Sequence, residues 1–245
     1  MPTKTKVRNM FDSIAGDYDA LNHILSLDVD KIWRRKALKQ IVDAPAPAQV
    51  LDLACGTGDF SIAIAKALSS ATGSHVTGVD LSEGMLAVMR EKVGKAGLTE
   101  MISIEEGDGE NLRFPDNTFD RVTIAFGIRN FENREKGLRE MLRVLKPGGR
   151  LVILELSRPE NKIIRWFYDL YFLHILPKVG GKVSGDKAAY AYLPASVAAF
   201  PGKKAFMATM REAGFRAVTH KAFTLGICRM YTGEKIGKKA WHLNY

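Results

Sequence analysis

Val50-Leu51-Asp52-Leu53-Ala54-Cys55-Gly56-Thr57-Gly58-Asp59, followed by His75-Val76-Thr77-Gly78-Val79-Asp80, reads as an apolar strand, a glycine turn, a helix, and a second strand ending in a carboxylate. Gly56 and Gly58 lack a Cβ, so a ligand can lie directly against the backbone of the turn. A carboxylate about twenty residues on is placed to accept hydrogen bonds from ribose hydroxyls, as in other nucleotide-binding α/β sheets. The turn departs from the nicotinamide fingerprint, because the third glycine of G-x-G-x-x-G would fall at Ser61. Nor does a Gly-Lys-Ser/Thr follow, as a phosphate loop requires. An acidic, lysine-free turn suits a ligand with no polyphosphate and with a positive charge.

Outward from this unit, the spacing predicts helix over 58–69, a strand at 75–80, helix over 82–96 with Ser82 as N-cap, and a strand at 102–106. A strand at 119–125, helix over 132–145 and a strand at 149–156 continue the alternation. Such alternation implies a parallel sheet with helices on both faces. Residues 7–42 read as helical, and the prolines of Asp43-Ala44-Pro45-Ala46-Pro47 end that section. After Leu156 the pattern breaks: 161–176 holds 11 apolar or aromatic residues in 16, hydrophobic nearly all round. A helix of that kind is buried or faces something apolar. Gly180 to Tyr192 reads as a loop with aromatic contacts. Helix over 202–213, a hairpin of strands at 216–223 and 226–231, and a basic tail from Lys235 complete the chain.

The 245 residues are 46% hydrophobic, enough for one large core, and no linker divides 1–245. Within that single domain, 1–44 reads as an N-terminal helical cap and 158–200 as an inserted cap. There is no charged-then-apolar leader and no apolar run near the roughly 20 residues of a spanning helix. Two cysteines, Cys55 and Cys228, form neither a disulfide framework nor a metal cluster, which points to a reduced, cytoplasmic compartment. The net charge of +9 is unevenly spread, since 158–245 holds 15 Lys and Arg against 5 Asp and Glu. An anionic membrane surface, nucleic acid and plain solubility compete to explain this. The apolar content of the same region favours the membrane.

S-adenosylmethionine, carrying a sulfonium and an ammonium group, fits the lysine-free turn. Asp52-Leu53-Ala54-Cys55-Gly56-Thr57-Gly58 resembles the first motif of class I S-adenosylmethionine-dependent methyltransferases. Four further stretches narrow the likeness. They are Phe11 to Asn22, Leu25-Ser26 through Trp33-Arg34, Phe126-Gly127-Ile128-Arg129-Asn130-Phe131, and Arg143-Val144-Leu145-Lys146-Pro147-Gly148-Gly149-Arg150. Together, from about Val7 to Lys235, the chain resembles the C-methyltransferases of menaquinone and ubiquinone biosynthesis. The resemblance implies a Rossmann-like α/β fold with a seven-stranded, mostly parallel sheet. It also implies an N-terminal helical segment and a helical cap inserted after the fifth strand.

It implies a site as well. Asp52 is placed to meet the cofactor's ammonium group, with turn capping as the alternative, and Thr57 offers its backbone and hydroxyl between Gly56 and Gly58. Asp80 takes the ribose; Asp108 and Gly109 lie along the adenine, with glycine standing where alanine is frequent. Ala125 stands where ubiquinone-type relatives often carry serine. Arg129 and Asn130, past the fourth strand, are expected to hold the ring oxygens, unless Arg129 instead pairs with Glu132 or Glu135. Tyr18, Asp19 and Asn22 are expected to close the pocket, and Tyr190 and Tyr192 to line a quinone channel.

The implied reaction is methyl transfer to a ring carbon of demethylmenaquinol. A 2-polyprenyl-methoxy-benzoquinol is the alternative acceptor, and a nucleic-acid or protein binding module the rival from another class. A reduced quinol ring becomes nucleophilic on losing a phenolic proton, so alignment, dryness and phenolate stabilisation are what the protein must supply. No nucleophilic cysteine is needed, unlike C5-pyrimidine methyltransferases, and Ala125-Phe126-Gly127-Ile128 stands where amino-directed nucleic-acid methyltransferases carry Asn/Asp-Pro-Pro-Tyr/Phe. His23, His75, His174, His220 and His242 show no metal-ligand spacing. The expected partners are a polyprenyl quinol and an anionic membrane surface bound peripherally. No nucleic acid is expected, and homo-oligomerisation is left open.

Overall fold

The computed structural model describes residues 3–16, 18–19, 28–171 and 187–237, and only the backbone of 187–191. The apolar runs form one seven-stranded sheet: β1 (Gln49–Leu53), β2 (His75–Asp80), β3 (Ile102–Glu106), β4 (Phe119–Ala125), β5 (Leu145–Leu156), β6 (Arg216–Phe223) and β7 (Cys228–Glu234). Their order is β3-β2-β1-β4-β5-β7-β6. The first five are parallel, and β7 runs antiparallel to both β5 and β6. Central strands covered on both faces read as continuous apolar runs rather than alternating ones. That is why Val50 to Leu53 are all buried.

Side-chain alternation divides the core into two layers. Leu51 and Leu53 point to one face, with Val122, Ile124, Leu138, Met141 and Phe206. Val50 and Val76 point to the other, with Trp33, Phe60, Ile64, Leu86 and Met89. The first layer is covered by α5 (Arg134–Val144) and α8 (Lys203–Glu212), the second by α2 (Val29–Leu38), α3 (Asp59–Leu68) and α4 (Glu83–Lys95). Ser82 caps α4, its Oγ accepting from the Met85 amide at 3.2 Å. Asn133 caps α5 in the same way at 2.9 Å. The remaining helices are α1 (Lys4–Ile14), α6 (Lys162–Leu170) and α7 (Lys187–Ala199), with 3-10 turns at Ile128–Asn130 and Thr224–Gly226.

Four sequence boundaries move. The helical reading of 7–42 becomes two separate helices, α1 and α2. β5 begins at Leu145 rather than 149, because Leu145 pairs with Phe119 before the register shifts to Arg121–Arg150 across the glycine pair. The last strand starts at Cys228 rather than 226, since a 3-10 turn closes the hairpin. Residues 187–192 are helix, not loop: alanines at 188, 189 and 191 favour helix, and α7 continues through Pro194. The rest of the predicted loop, and 172–176 of the apolar segment, lie outside the described residues. Within α6, Ile163, Trp166, Phe167 and Leu170 are exposed and Tyr168 is buried, so the helix is two-sided.

Gly58 opens α3 with φ +85°, and a Cβ there would sit 2.4 Å from Met89 Cγ. Gly58→Ala combines left-handed strain with that overlap. Urea denaturation is expected to show it less stable by about 1–3 kcal/mol.

Candidate active site

β1 and β4 are neighbours, while their successors β2 and β5 lie to opposite sides. This is the switch point at which open α/β sheets leave a crevice beyond their carboxyl ends. A cleft opens there. Gly56, Asp80, Ser82 and Met85 form one wall; Asp108, Gly109, Ala125, Asn130 and Phe131 form another. Lys4, Val7, Arg8 and Phe11 of α1, with Tyr18, roof it.

Asp80 ties the two turns together. Its Oδ2 accepts from the Gly56 amide and its Oδ1 from the Ser82 amide, each at 2.9 Å. Burial raises its pKa, while those amides and that of Leu81 pull it down. Each carboxylate oxygen keeps a lone pair for a further donor.

Asp52 is buried behind the cleft wall, with Oδ2 accepting from Ser61 Oγ at 2.6 Å. Ser61 is the position where a dinucleotide turn would carry its third glycine; a hydroxyl answering Asp52 replaces it. Thr57 and Gly58 also lie outside the cleft lining. Thr57 Oγ1 donates to Asp19, and Lys92 bridges Asp19 and Asp59. These ion pairs bind the turn to the segment that carries Tyr18.

Asp108 turns on itself, Oδ1 accepting from the Glu110 amide at 2.9 Å. Its Oδ2 meets Lys4 Nζ at 2.7 Å, and the same ammonium lies 3.0 Å from Glu110. Burial alone would lower the Lys4 pKa, but its bonds to Asp108 and Glu110 raise it above the ordinary value. At Gly109 a Cβ would fall 2.6 Å from Phe131 Cζ. Glycine here seats the Phe131 ring, and alanine would push it aside.

Arg129 is 7% exposed and absent from the cleft lining. Its partner is Glu155, at 2.9 Å from Nη1, rather than Glu132 or Glu135. Glu155 also accepts from the Arg129 amide at 3.1 Å, Ser196 Oγ from Nε at 3.3 Å, and the Phe126 carbonyl from Nη1. Burial opposes the Arg129 charge, and Glu155 more than offsets it. Asn130 does line the cleft, and Tyr192 Oη donates to its Oδ1 at 2.8 Å. That leaves the Asn130 amide N–H groups to donate. Asn22 lies outside the described residues, as does the side chain of Tyr190.

Glu155, Ser196 and Lys4 were missed from sequence. Only Glu155 gave a signal, an acid between the apolar run Leu151-Val152-Ile153-Leu154 and Leu156. Phe126, with φ +62°, holds strained backbone beside the cleft, and its carbonyl serves Arg129.

Burial drives the Asp52 carboxyl up to about 7, against which the Ser61 hydroxyl works. The folded protein therefore holds a proton that the unfolded chain releases near 3.8. The stability this contributes is complete below the unfolded value and is lost as pH rises through about 7. Relative to Asp52→Asn, the wild type is expected to lose on the order of 2–4 kcal/mol between pH 4 and 8. Denaturant titrations across that range measure it.

The ubiE/COQ5 methyltransferase family model matches residues 2–235. A ubiquinone/menaquinone biosynthesis C-methyltransferase UbiE of Geobacter sulfurreducens is 48% identical over 230 residues, 94% of this chain and 88% of that protein. A demethylmenaquinone methyltransferase of Bacteroides fragilis is 46% identical, covering 94% and 92%. Among solved structures, the cyclase SpnF superposes with a TM-score of 0.72 at 17% identity, over 96% of this chain and 97% of its own, a likeness of fold alone. With the family match spanning nearly every residue, the chain belongs to the ubiE/COQ5 methyltransferase family.

Proposed function

We propose that this enzyme converts a demethylmenaquinol to a menaquinol by methylating a ring carbon. Within its family it is an S-adenosylmethionine-dependent C-methyltransferase. The observation that carries the substrate reading is Asn130 on the cleft wall, its oxygen engaged by Tyr192 and its N–H groups available. The relatives named demethylmenaquinone methyltransferase support the same head group. So does Ala125, which lines the cleft where ubiquinone-type relatives often carry serine.

The cleft suits the cofactor: a turn free of Cβ at Gly56, a carboxylate at Asp80 with lone pairs to spare, and the Phe131 face beside Asp108. When bound, S-adenosylmethionine supplies an electrophilic methyl on a sulfonium. Asp80 accepts from the ribose, Asp108 from the adenine amine, and the Gly56 turn gives close backbone approach. Asp52 and Thr57 act behind it, one anchoring α3 through Ser61 and the other fastening Asp19.

On the acceptor side, Asn130 donates to a ring oxygen and steadies it as the phenolic proton leaves. Arg129 works from behind the wall. Glu155 and Ser196 fix it, so it holds the Ile128–Asn130 turn in place, and its charge favours anionic oxygen nearby; burial raises the Tyr192 phenol, and Arg129 works against that rise. The α1 roof excludes water.

A polyprenyl acceptor is reached from a bilayer. No helix among the described residues is long and apolar enough to cross one. Trp166 and Phe167 on α6, each 61% exposed, form an apolar face beside Lys162. That face suits peripheral binding, in which apolar insertion and attraction to anionic lipid combine.

Four measurements test this reading. Labelled methyl transfer to both reduced head groups, with product mass, is expected to favour demethylmenaquinol. The relative named for both pathways makes the benzoquinol the alternative acceptor. Asn130→Ala is expected to lower kcat by about 10²–10³ with cofactor affinity kept, the cost of one lost oxyanion donor. Normal turnover would remove Asn130 from the chemistry. Asp80→Ala is expected to weaken cofactor binding by about 1–3 kcal/mol in calorimetry. Vesicles of phosphatidylethanolamine and phosphatidylglycerol are expected to sediment the wild type, less so at high salt. A Trp166→Ser/Phe167→Ser variant should stay behind with an unchanged melt, because neither ring is buried.

A further inference from the structure

Leu225 sits at the tip of the β6–β7 hairpin, 72% exposed, with φ 56° and ψ 21°. Thr224 and Gly226 beside it also have positive φ, 45° and 92°. Left-handed backbone is costly for a residue with a Cβ, and turns ordinarily place glycine or asparagine there. A leucine in this conformation, left in water, gives the isolated fold neither local ease nor buried apolar area.

The tip is held from both sides. Trp33 Nε1 of α2 donates to Thr224 Oγ1 at 2.9 Å, and Ser157 Oγ donates to the Gly226 carbonyl at 2.6 Å. Ser157 directly follows β5 and precedes α6. The tip, α2 and the start of α6 therefore meet at the carboxyl edge of the sheet, the edge on which the cleft opens. On α2, Arg35 and Lys36 are exposed around Ile32, itself 43% exposed, and Lys31 beside them pairs with Asp28 at 2.7 Å. Lys36 Nζ lies 5.0 Å from the centre of the Phe223 ring, two residues before Leu225.

We infer that Leu225 is a second membrane anchor, a wedge that enters the interfacial layer of an anionic bilayer while the α2 cations meet lipid phosphates. This rests on the peripheral-membrane reading of the proposed function. A single apolar tip among cations suits an anionic lipid surface, where insertion and charge attraction add. A second copy of this chain would bring the same positive charges face to face. Two anchors, α6 and the hairpin tip, fix the orientation of the cleft against the bilayer, which one anchor leaves free to roll.

The test is Leu225→Asn, which keeps a Cβ, tolerates left-handed backbone and removes the apolar group. The thermal midpoint is expected to equal or exceed that of the wild type. Partition onto phosphatidylethanolamine–phosphatidylglycerol vesicles is expected to fall about fivefold to tenfold, the share of a leucine partly withdrawn from water. Methyl transfer to a short-chain, water-soluble quinol is expected to stay unchanged, and transfer to a long-chain quinol in vesicles to drop. Equal vesicle binding by the variant and the wild type, with the α6 double variant released, overturns the second anchor and leaves the membrane reading standing. A wild type that ignores anionic vesicles overturns both. Lipid-independent self-association that Leu225→Asn abolishes, seen by sedimentation velocity, makes the tip a protein interface and also overturns the proposal.

Discussion

Asp80 joins two turns that the sequence separates by more than a strand and a helix. One carboxylate oxygen holds the amide of Gly56 after β1, the other the amide of Ser82 before α4. Both amides stand near a helix N-terminus, where backbone N–H groups have no intrahelical partner and where negative charge is favoured. The glycine turn keeps its shape because something anionic answers those donors. The same carboxylate faces the cleft, so one group shapes the pocket and presents an acceptor to whatever fills it. Its raised pKa reflects the burial this arrangement imposes.

The roof repeats the device at a distance. Asp12 of α1 accepts from Ser82 Oγ at 2.6 Å and from the Gly84 amide at 3.0 Å, adding a second anion at the head of α4. Gly84 permits the approach, since a Cβ there would stand 3.2 Å from the Asp12 backbone. At the other end of α1, Lys4 spans Asp108 and Glu110. Between these polar fastenings Val7 and Phe11 lie over the cleft. The roof is therefore held mainly by charge at its ends, one of them fastened to Asp108, a carboxylate proposed to meet the cofactor.

The acceptor side is built on a buried ion pair. Removing either Arg129 or Glu155 would leave an uncompensated charge in the interior, which is far costlier than the pair's net contribution. The geometry fits that demand: Glu155 is fully buried and engaged by Arg129 through side chain and backbone and by the Leu156 amide. The strict requirement for partners makes the Ile128–Asn130 turn rigid. Rigidity there keeps Asn130 at the cleft, and Tyr192 and Ser196, one helical turn apart on α7, dock that helix onto it.

Much of this was legible in the chain. Strand runs, the glycine turn, the Ser82 cap and the acid closing β2 are local patterns, set by backbone conformation and by the period of side chains along one element. They gave the alternation of the sheet, and the motif stretches gave the family. Boundaries moved where neighbours overrode propensity, as when Phe119 drew Leu145 into β5 ahead of the glycines. Partner choice was not legible. Arg129 has two acids close by in sequence, yet it pairs with Glu155, because its side chain is buried against β5, which carries that carboxylate. Asp52 and Thr57 belong to the cofactor motif, yet they stand behind the wall, Asp52 engaged by Ser61 and Thr57 by Asp19. Lys4 carries no motif that marks it, and nothing in the stretch that holds Asp12 names its partner; both matter because α1 folds back across the carboxyl edge. Sequence alone determined which elements form and which family they serve. Tertiary structure decided which charged groups face the ligand and which hold the wall, because burial and the direction of approach exist only once distant elements pack.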